Sequence, residues 1–272
     1  LHQYPQCVEQ INLYNQQPNV KNSENKALAI YLKAYALFNQ KNYVAAEPLF
    51  RTFIATKPAT NIYADALNRI GDCLFHARQF TPAIDTYTQV ANLKSTGADY
   101  ALLQNGYAQG LLHQYAQKVL VLNDLIEQYP RSDYADDALY EIARAQLLQN
   151  HNQEAIQTYQ SLLQNYPNSN RAIKAALEMG MTYRTLKQYD QAIQAFKNTI
   201  ENYAGTEESY AALEGLEQVY VETNNIENYI TYTKQLSKMN MQTASSEDSL
   251  VYVTAELQYM LGNYPQAAAG LT

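Results

Sequence analysis

One spacing constrains this chain more than any other feature: a small residue recurs about every 37 positions. The anchors are Ala34, Gly71, Gly106, Ala143, Gly180, Gly215 and Ala255, at intervals of 37, 35, 37, 37, 35 and 40. Twelve residues after an anchor comes a second small residue, at Ala46, Ala83, Ala155, Ala192 and Ala267, a position taken by Lys118 and Glu227 in the other two units. Four residues further stands a large apolar side chain: Phe50, Tyr87, Leu122, Tyr159, Phe196 and Leu271. The i, i+4 spacing puts the small and the large residue on one helical face. Two antiparallel helices approach closely where the side chains are Gly or Ala, and the large residue fills the space beside them. Such a pair cannot bury its apolar faces alone, so neighbouring units must stack.

The punctuation agrees. Tyr129-Pro130, Tyr166-Pro167 and Lys57-Pro58 mark the ends of second helices, since a residue before proline is pushed out of the α region. Ser132 ahead of Asp133 and Asp136, and Thr206 ahead of Glu207 and Glu208, read as N-caps with negative charge at the positive helix end. Thr81-Pro82 reads as an N-cap with Pro at the first helical position. With nine Gly and eight Pro in 272 residues, the chain is expected to be all-α rather than a loop-rich β protein.

These residues resemble the tetratricopeptide repeat family. Its small residue near the eighth position, aromatics at the eleventh and twenty-fourth, and Ala at the twentieth are matched by Gly180, Tyr183, Phe196 and Ala192 in the unit from about Ala172. The preceding unit has Gln146 at the first aromatic position and keeps the late proline, Pro167. The resemblance implies a right-handed α-solenoid of six to seven helix-turn-helix repeats over residues 26–272. Units start near 26, 63, 98, 135, 172, 207 and 247, behind a helical segment at 1–25. The period is longer than the family's usual value of about 34. Linkers such as Tyr129 to Leu139 are similar to those of BamD-like outer-membrane-assembly lipoproteins and Tol–Pal coordinator proteins. Together with the amide-rich, Tyr-rich composition they give the expectation of a bacterial, Bacteroidetes-type envelope protein, periplasmic or outer-membrane-associated, although composition alone leaves the cytoplasm open.

Charge removes other classes. With 26 acidic and 19 basic side chains the net charge is −7, the wrong sign for a nucleic-acid reader that must contact phosphates. No stretch of 18 apolar residues is present, so no transmembrane segment is expected in this chain, and Leu1-His2-Gln3-Tyr4 opens without a secretion-signal pattern. The second helix of the last unit breaks off one turn past Ala267, which leads us to expect a piece of a longer protein.

Few residues are spaced for catalytic chemistry. Cys73 and His76, at i, i+3, share a helix face, but further metal ligands would have to come from other repeats, and a buried structural cysteine is the favoured reading. His113 and His151 fall near turns. Asp136-Asp137 and Glu207-Glu208 lie side by side at helix starts, where they complement the dipole rather than face each other across a pocket as general acid and base. No phosphate loop or nucleophile elbow occurs. Asp248-Ser249-Leu250 matches a short O-glycosylation pattern of Bacteroidetes, with a polar linker as the plainer reading. No enzyme, no cofactor and no metal are expected.

What remains is surface. In the resembled family the first helices of successive repeats line a concave groove. Carried over by position, that groove includes Tyr31, Tyr35, Phe38, Phe75, Tyr100, Tyr107, Tyr140, Arg144, Lys174, Met181, Arg184 and Tyr220, with Asp65, Asn68 and Asp72 among its polar members. Arg144, Lys174 and Arg184 form a basic cluster in this reading. The chain has 25 Tyr and no Trp, and Tyr offers a rigid contact area with a polar tip; packing of these rings on neighbouring helices is the competing reading. The expected function is a non-enzymatic scaffold that binds a protein or peptide segment in the groove. The alternatives are a carbohydrate-binding module, or the regulatory solenoid of a longer enzyme or signalling chain.

Overall fold

A computed structural model of the chain describes residues 3–16, 23–238, 252, 255–256, 259 and 262–269. Every regular element among them is an α-helix: α1 (Tyr4–Gln16), α2 (Ser23–Asn39), α3 (Tyr43–Ile54), α4 (Thr60–His76), α5 (Phe80–Leu93), α6 (Ala98–Leu111), α7 (Tyr115–Gln128), α8 (Ala135–Leu148), α9 (Asn152–Asn165), α10 (Asn170–Thr185), α11 (Tyr189–Asn202), α12 (Glu207–Glu222), α13 (Ile226–Lys238) and α14 (Tyr264–Ala269). They form two compact units, Leu1–Asn150 and His151–Thr272. In unit 1 each helix packs on the next from α1 to α8, and first helices also touch, α2 on α4, α4 on α6 and α6 on α8. In unit 2, α9 packs on α10, α10 on α11 and α12, α11 on α12, and α12 on α13. The repeat start near 247, Asp248-Ser249-Leu250 and the chain's last residues lie outside the described residues.

The small and large anchors interlock as their spacing requires. A Cβ on Gly71 would come within 2.5 Å of the Tyr87 ring, one on Gly106 within 2.5 Å of Leu122, and one on Gly180 within 2.6 Å of Phe196. A Cβ on Gly215 would meet the same ring atoms of Phe196, again within 2.6 Å. Tyr87, Leu122 and Phe196 are fully buried, so each glycine is small because the next helix's anchor occupies the place of its side chain.

Lys118, which breaks the Ala position in the sequence, is nonetheless buried at 7% exposure. Its Nζ donates to Glu141 of α8, itself 7% exposed. Gly110 makes room for it, since a Cβ there would lie 3.2 Å from Lys118 Cδ and Nζ.

In six helix pairs the turn is built without glycine, whereas Gly262 takes the same slot two residues before α14. Lys41, Arg78, His113, Asn150, Lys187 and Asn224 all have φ between 54° and 62°. At five of them the following residue's N–H reaches back to the first helix, as in Asn42 N–H to Leu37 O at 2.9 Å and Gln188 N–H to Tyr183 O at 2.9 Å. This left-handed closure satisfies carbonyls that the helix end leaves orphaned.

Two of the expected caps are corrected. Helix α8 begins at Ala135 without a side-chain cap; Ser132 sits in the preceding turn, where its Oγ donates to Asp99 and accepts from Tyr134 N–H. Helix α5 begins at Phe80, so Thr81-Pro82 lies inside its first turn. Thr206 does cap α12, accepting from Ser209 N–H. Helix α3 ends at Ile54, ahead of Lys57-Pro58, whereas α7 and α9 end at Gln128 and Asn165, directly before Tyr-Pro. Tyr203 adopts nearly the same backbone angles as Tyr129 and Tyr166 with no proline after it.

Candidate functional site

The first helices of unit 1 bring together a network that begins with three residues on one face of α4. Asp65, Arg69 and Asp72 are spaced i, i+4, i+7. Tyr31 and Tyr35, one turn apart on α2, both donate to Asp65 Oδ2 at 2.6 Å. Arg69 places its guanidinium between the Phe38 and Tyr100 rings, 5.3 and 5.2 Å from their centroids, a cation–π arrangement that also fixes its direction. Its Nη1 lies 2.6 Å from Asp72 Oδ2, while Asp72 Oδ1 accepts from Tyr87 at 2.7 Å and Tyr100 at 2.8 Å. Three successive first helices are thereby tied through two carboxylates.

The surroundings shift the ionisations. Burial, reinforced by Asp65, raises the Tyr31 hydroxyl to about 12. Burial and the same kind of carboxylate contact push Tyr35, Tyr87 and Tyr100 up as well. Burial raises the Asp72 carboxyl, against the opposing pull of Arg69 and its two tyrosine hydrogen bonds. The tyrosines therefore stay neutral donors across the physiological range.

The twelve residues carried over from the sequence divide accordingly. Tyr31, Tyr35, Phe38 and Tyr100 stand together, half-buried, in this network. Phe75 is half-buried against Phe80 at 5.4 Å, and Tyr107 is half-buried on α6. Tyr140 and Tyr220 are corrected: at 6% and 4% exposure they belong to the core. Position along the helix led to both, but the Arg144 guanidinium lies 5.9 Å over the Tyr140 ring, and Tyr220 packs on Tyr229 with centroids 6.1 Å apart. Arg144, Lys174 and Met181 are exposed.

Arg144 and Arg184 are each paired within their own unit. Arg144 belongs to unit 1 and lies 3.5 Å from Glu141. Arg184 is committed to Glu222, with Nε at 3.0 Å, and to Gln218. Lys174 is ten residues earlier on α10, about 15 Å along the helix. Sequence reading placed Asp65 and Asp72 on the groove but passed over Arg69; its signal was an arginine four after one aspartate and three before the other.

Cys73 and His76 face different surroundings. Cys73 is 3% exposed, and burial, with Asp72 and Glu47 nearby, raises its thiol to about 12. His76 is exposed and stacks flat on Tyr43, centroids 4.1 Å apart at 5°. A depression of about 340 Å³ opens beside this stack, bordered by Val44, Glu47, Leu74 and Gln79. Among the described residues no group of three or more His, Cys, Asp or Glu is placed to hold a metal ion, and no helix is long and apolar enough to cross a membrane.

Models of the family described as tetratricopeptide repeat match residues 31–98, 137–169 and 174–206. These segments are tetratricopeptide repeats. Solved structures of similar fold include a tetratricopeptide repeat protein from Parabacteroides merdae ATCC 43184, 15% identical over 90% of this chain and 91% of its own, with a TM-score of 0.57. YrrB, described as a tetratricopeptide repeat protein with an unusual peptide-binding site, is 12% identical over 78% of this chain and 98% of its own, with a TM-score of 0.54. MamA from Desulfovibrio magneticus RS-1 is 15% identical over 65% and 94%, with a TM-score of 0.50. At these identities the likeness is one of fold. No curated protein sequence matches the chain. The fold is that of a protein–protein interaction scaffold.

Proposed function

We propose that this repeat protein is a non-enzymatic scaffold that holds a segment of a partner protein against its first helices, and that it does so in a bacterial cell envelope. The observation that carries the binding role is the network of Tyr31, Tyr35, Asp65, Arg69, Asp72 and Tyr100, which ties α2, α4 and α6 into one pre-formed face. A face whose side chains are already ordered loses little entropy when a partner docks. The network spends the tyrosine hydroxyls internally, so contact falls to the ring edges and to exposed first-helix positions of the same unit such as Leu28 and Arg144. The envelope assignment rests on the resemblance of the repeat linkers to those of outer-membrane-assembly and Tol–Pal coordinator proteins.

Pull-down from the native cell tests the binding face. Leu28→Glu and Arg144→Glu, on first helices of unit 1, are expected to lose partners that Leu120→Glu, on second helix α7, retains. An unchanged partner set for all three contradicts the assignment. Fractionation of those cells with an antibody to the chain tests the compartment, and recovery in the cytosol alone contradicts the envelope reading.

A further inference from the structure

We infer that the α2–α4 face of unit 1 is a receptor for a basic stretch of a partner protein, with Asp65 as the receiving carboxylate. The inference rests on the scaffold reading above and gives its ligand a sign. Three observations carry it.

Asp65 is held in place and only loosely paired. Both tyrosine hydroxyls sit on Oδ2, the side chain keeps 36% of its exposure, and Oδ1 is 4.0 Å from the nearest nitrogen of Arg69. Arg69 cannot swing out to meet it, because Phe38, Tyr100 and the Asp72 carboxylate fix the guanidinium. A carboxylate oriented in advance and flanked by tyrosine rings accepts an ammonium or guanidinium with little reorganisation.

Charge on the neighbouring first helices has the same sign. From α2 to α8 the first helices carry seven acidic residues, Asp65, Asp72, Asp99, Asp136, Asp137 and Glu141 among them, against Lys26, Lys33, Arg69 and Arg144. Lys118 offsets Glu141 from the adjoining second helix. A basic chain is drawn to such a face and an acidic one is repelled.

Apolar contact is available beside the acid. Leu28 and Leu32 are 48% and 46% exposed, and the spacing of Leu28, Tyr31, Leu32 and Tyr35 puts all four on one side of α2. The fitting ligand therefore alternates lysine or arginine with a leucine-like side chain.

The test uses the whole 272-residue chain and two fluorescein-labelled, end-blocked peptides, Gly-Ser-Leu-Lys-Ser-Leu-Lys-Ser-Gly and its counterpart with both lysines replaced by glutamate. Anisotropy is read at low and at physiological salt. The lysine peptide is expected to bind, and to bind more weakly as salt rises; the glutamate peptide is not. Asp65→Asn keeps an oxygen for the two tyrosines and is expected to weaken the lysine peptide about tenfold, the loss of one charge-assisted contact. Leu28→Ala with Leu32→Ala, exposed and neutral to folding, is expected to weaken it severalfold and serves should Asp65→Asn lower the melting temperature. Equal binding of both peptides, or undiminished binding by Asp65→Asn and the leucine variant, overturns the inference. Failure of wild type to bind either peptide overturns it too, yet leaves the scaffold reading to the pull-down.

Discussion

A methyl group on Gly180 would reach within 2.6 Å of a Phe196 ring that the Gly215 backbone of α12 also crowds. Ala34 occupies the same repeat position beside Phe50, both fully buried, so the backbone tolerates a methyl where the ring has room to retreat. Phe196 has none, and Gly180→Ala is expected to destabilise unit 2 by about 1–3 kcal/mol, read as a lower urea midpoint. Phe196→Leu in the same chain is expected to restore part of the loss. The tyrosines give a second prediction at this scale. Tyr31 ionises near 10 when unfolded and near 12 when folded, so the folded state holds that proton more tightly. Its contribution is complete below pH 10 and is lost as pH rises from 10 through 12. Tyr35, Tyr87 and Tyr100 are raised in the same direction. Absorbance titration at alkaline pH is expected to show an early group of tyrosines and a late group that appears together with loss of helical signal; a single simple titration contradicts this. Of the two free cysteines, exposed Cys7 is expected to react promptly with a thiol reagent, and buried Cys73 only on unfolding.

The elements show which parts of the architecture the sequence made legible. Period, anchor spacing and the Thr206 cap follow from contacts every four residues and from local hydrogen bonds, and these leave a direct trace in residue type. The turns do not. Lys41, Arg78, His113 and Lys187 take a left-handed conformation that residue type gives no reason to expect, because the carbonyls at the helix end impose it. Lys187→Gly is therefore expected to stabilise unit 2 by up to about 1 kcal/mol, since relief of left-handed strain outweighs the added freedom of the unfolded chain. Asn224→Gly should gain less, Asn being tolerant there. Lys118 was equally illegible: a lysine in an alanine position reads as a break, yet it lies in the core because Glu141 and Gly110 receive it. Lys118→Ala alone is expected to cost about 3 kcal/mol by leaving Glu141 buried without its main partner, whereas Lys118→Ala with Glu141→Ala should recover most of that. Equal losses in the single and double variants would show the pair to be uncoupled.

At the scale of the whole molecule, the repeat defined which helices are first helices, and position along them located Tyr31, Tyr35, Phe38 and Tyr100 on a common face. Position could not tell that Tyr140 and Tyr220 turn inward, because burial depends on the neighbouring helices rather than on place within a unit. Nor could it tell that Asp65 and Asp72 consume the hydroxyls of the half-buried rings. Four of the 25 tyrosines are thus the material of a network that ties repeats together, and binding is left to the surface this network holds still. The most direct test of that account is photo-crosslinking in the native cell, with a benzophenone amino acid placed in turn at exposed first-helix positions Leu28 and Arg144 and at exposed second-helix positions Val44 and Leu120, all in unit 1. The account predicts that the first-helix positions trap a shared partner and the second-helix positions do not. Adducts confined to Val44 and Leu120 would place the binding face on the opposite side of the repeats and contradict it.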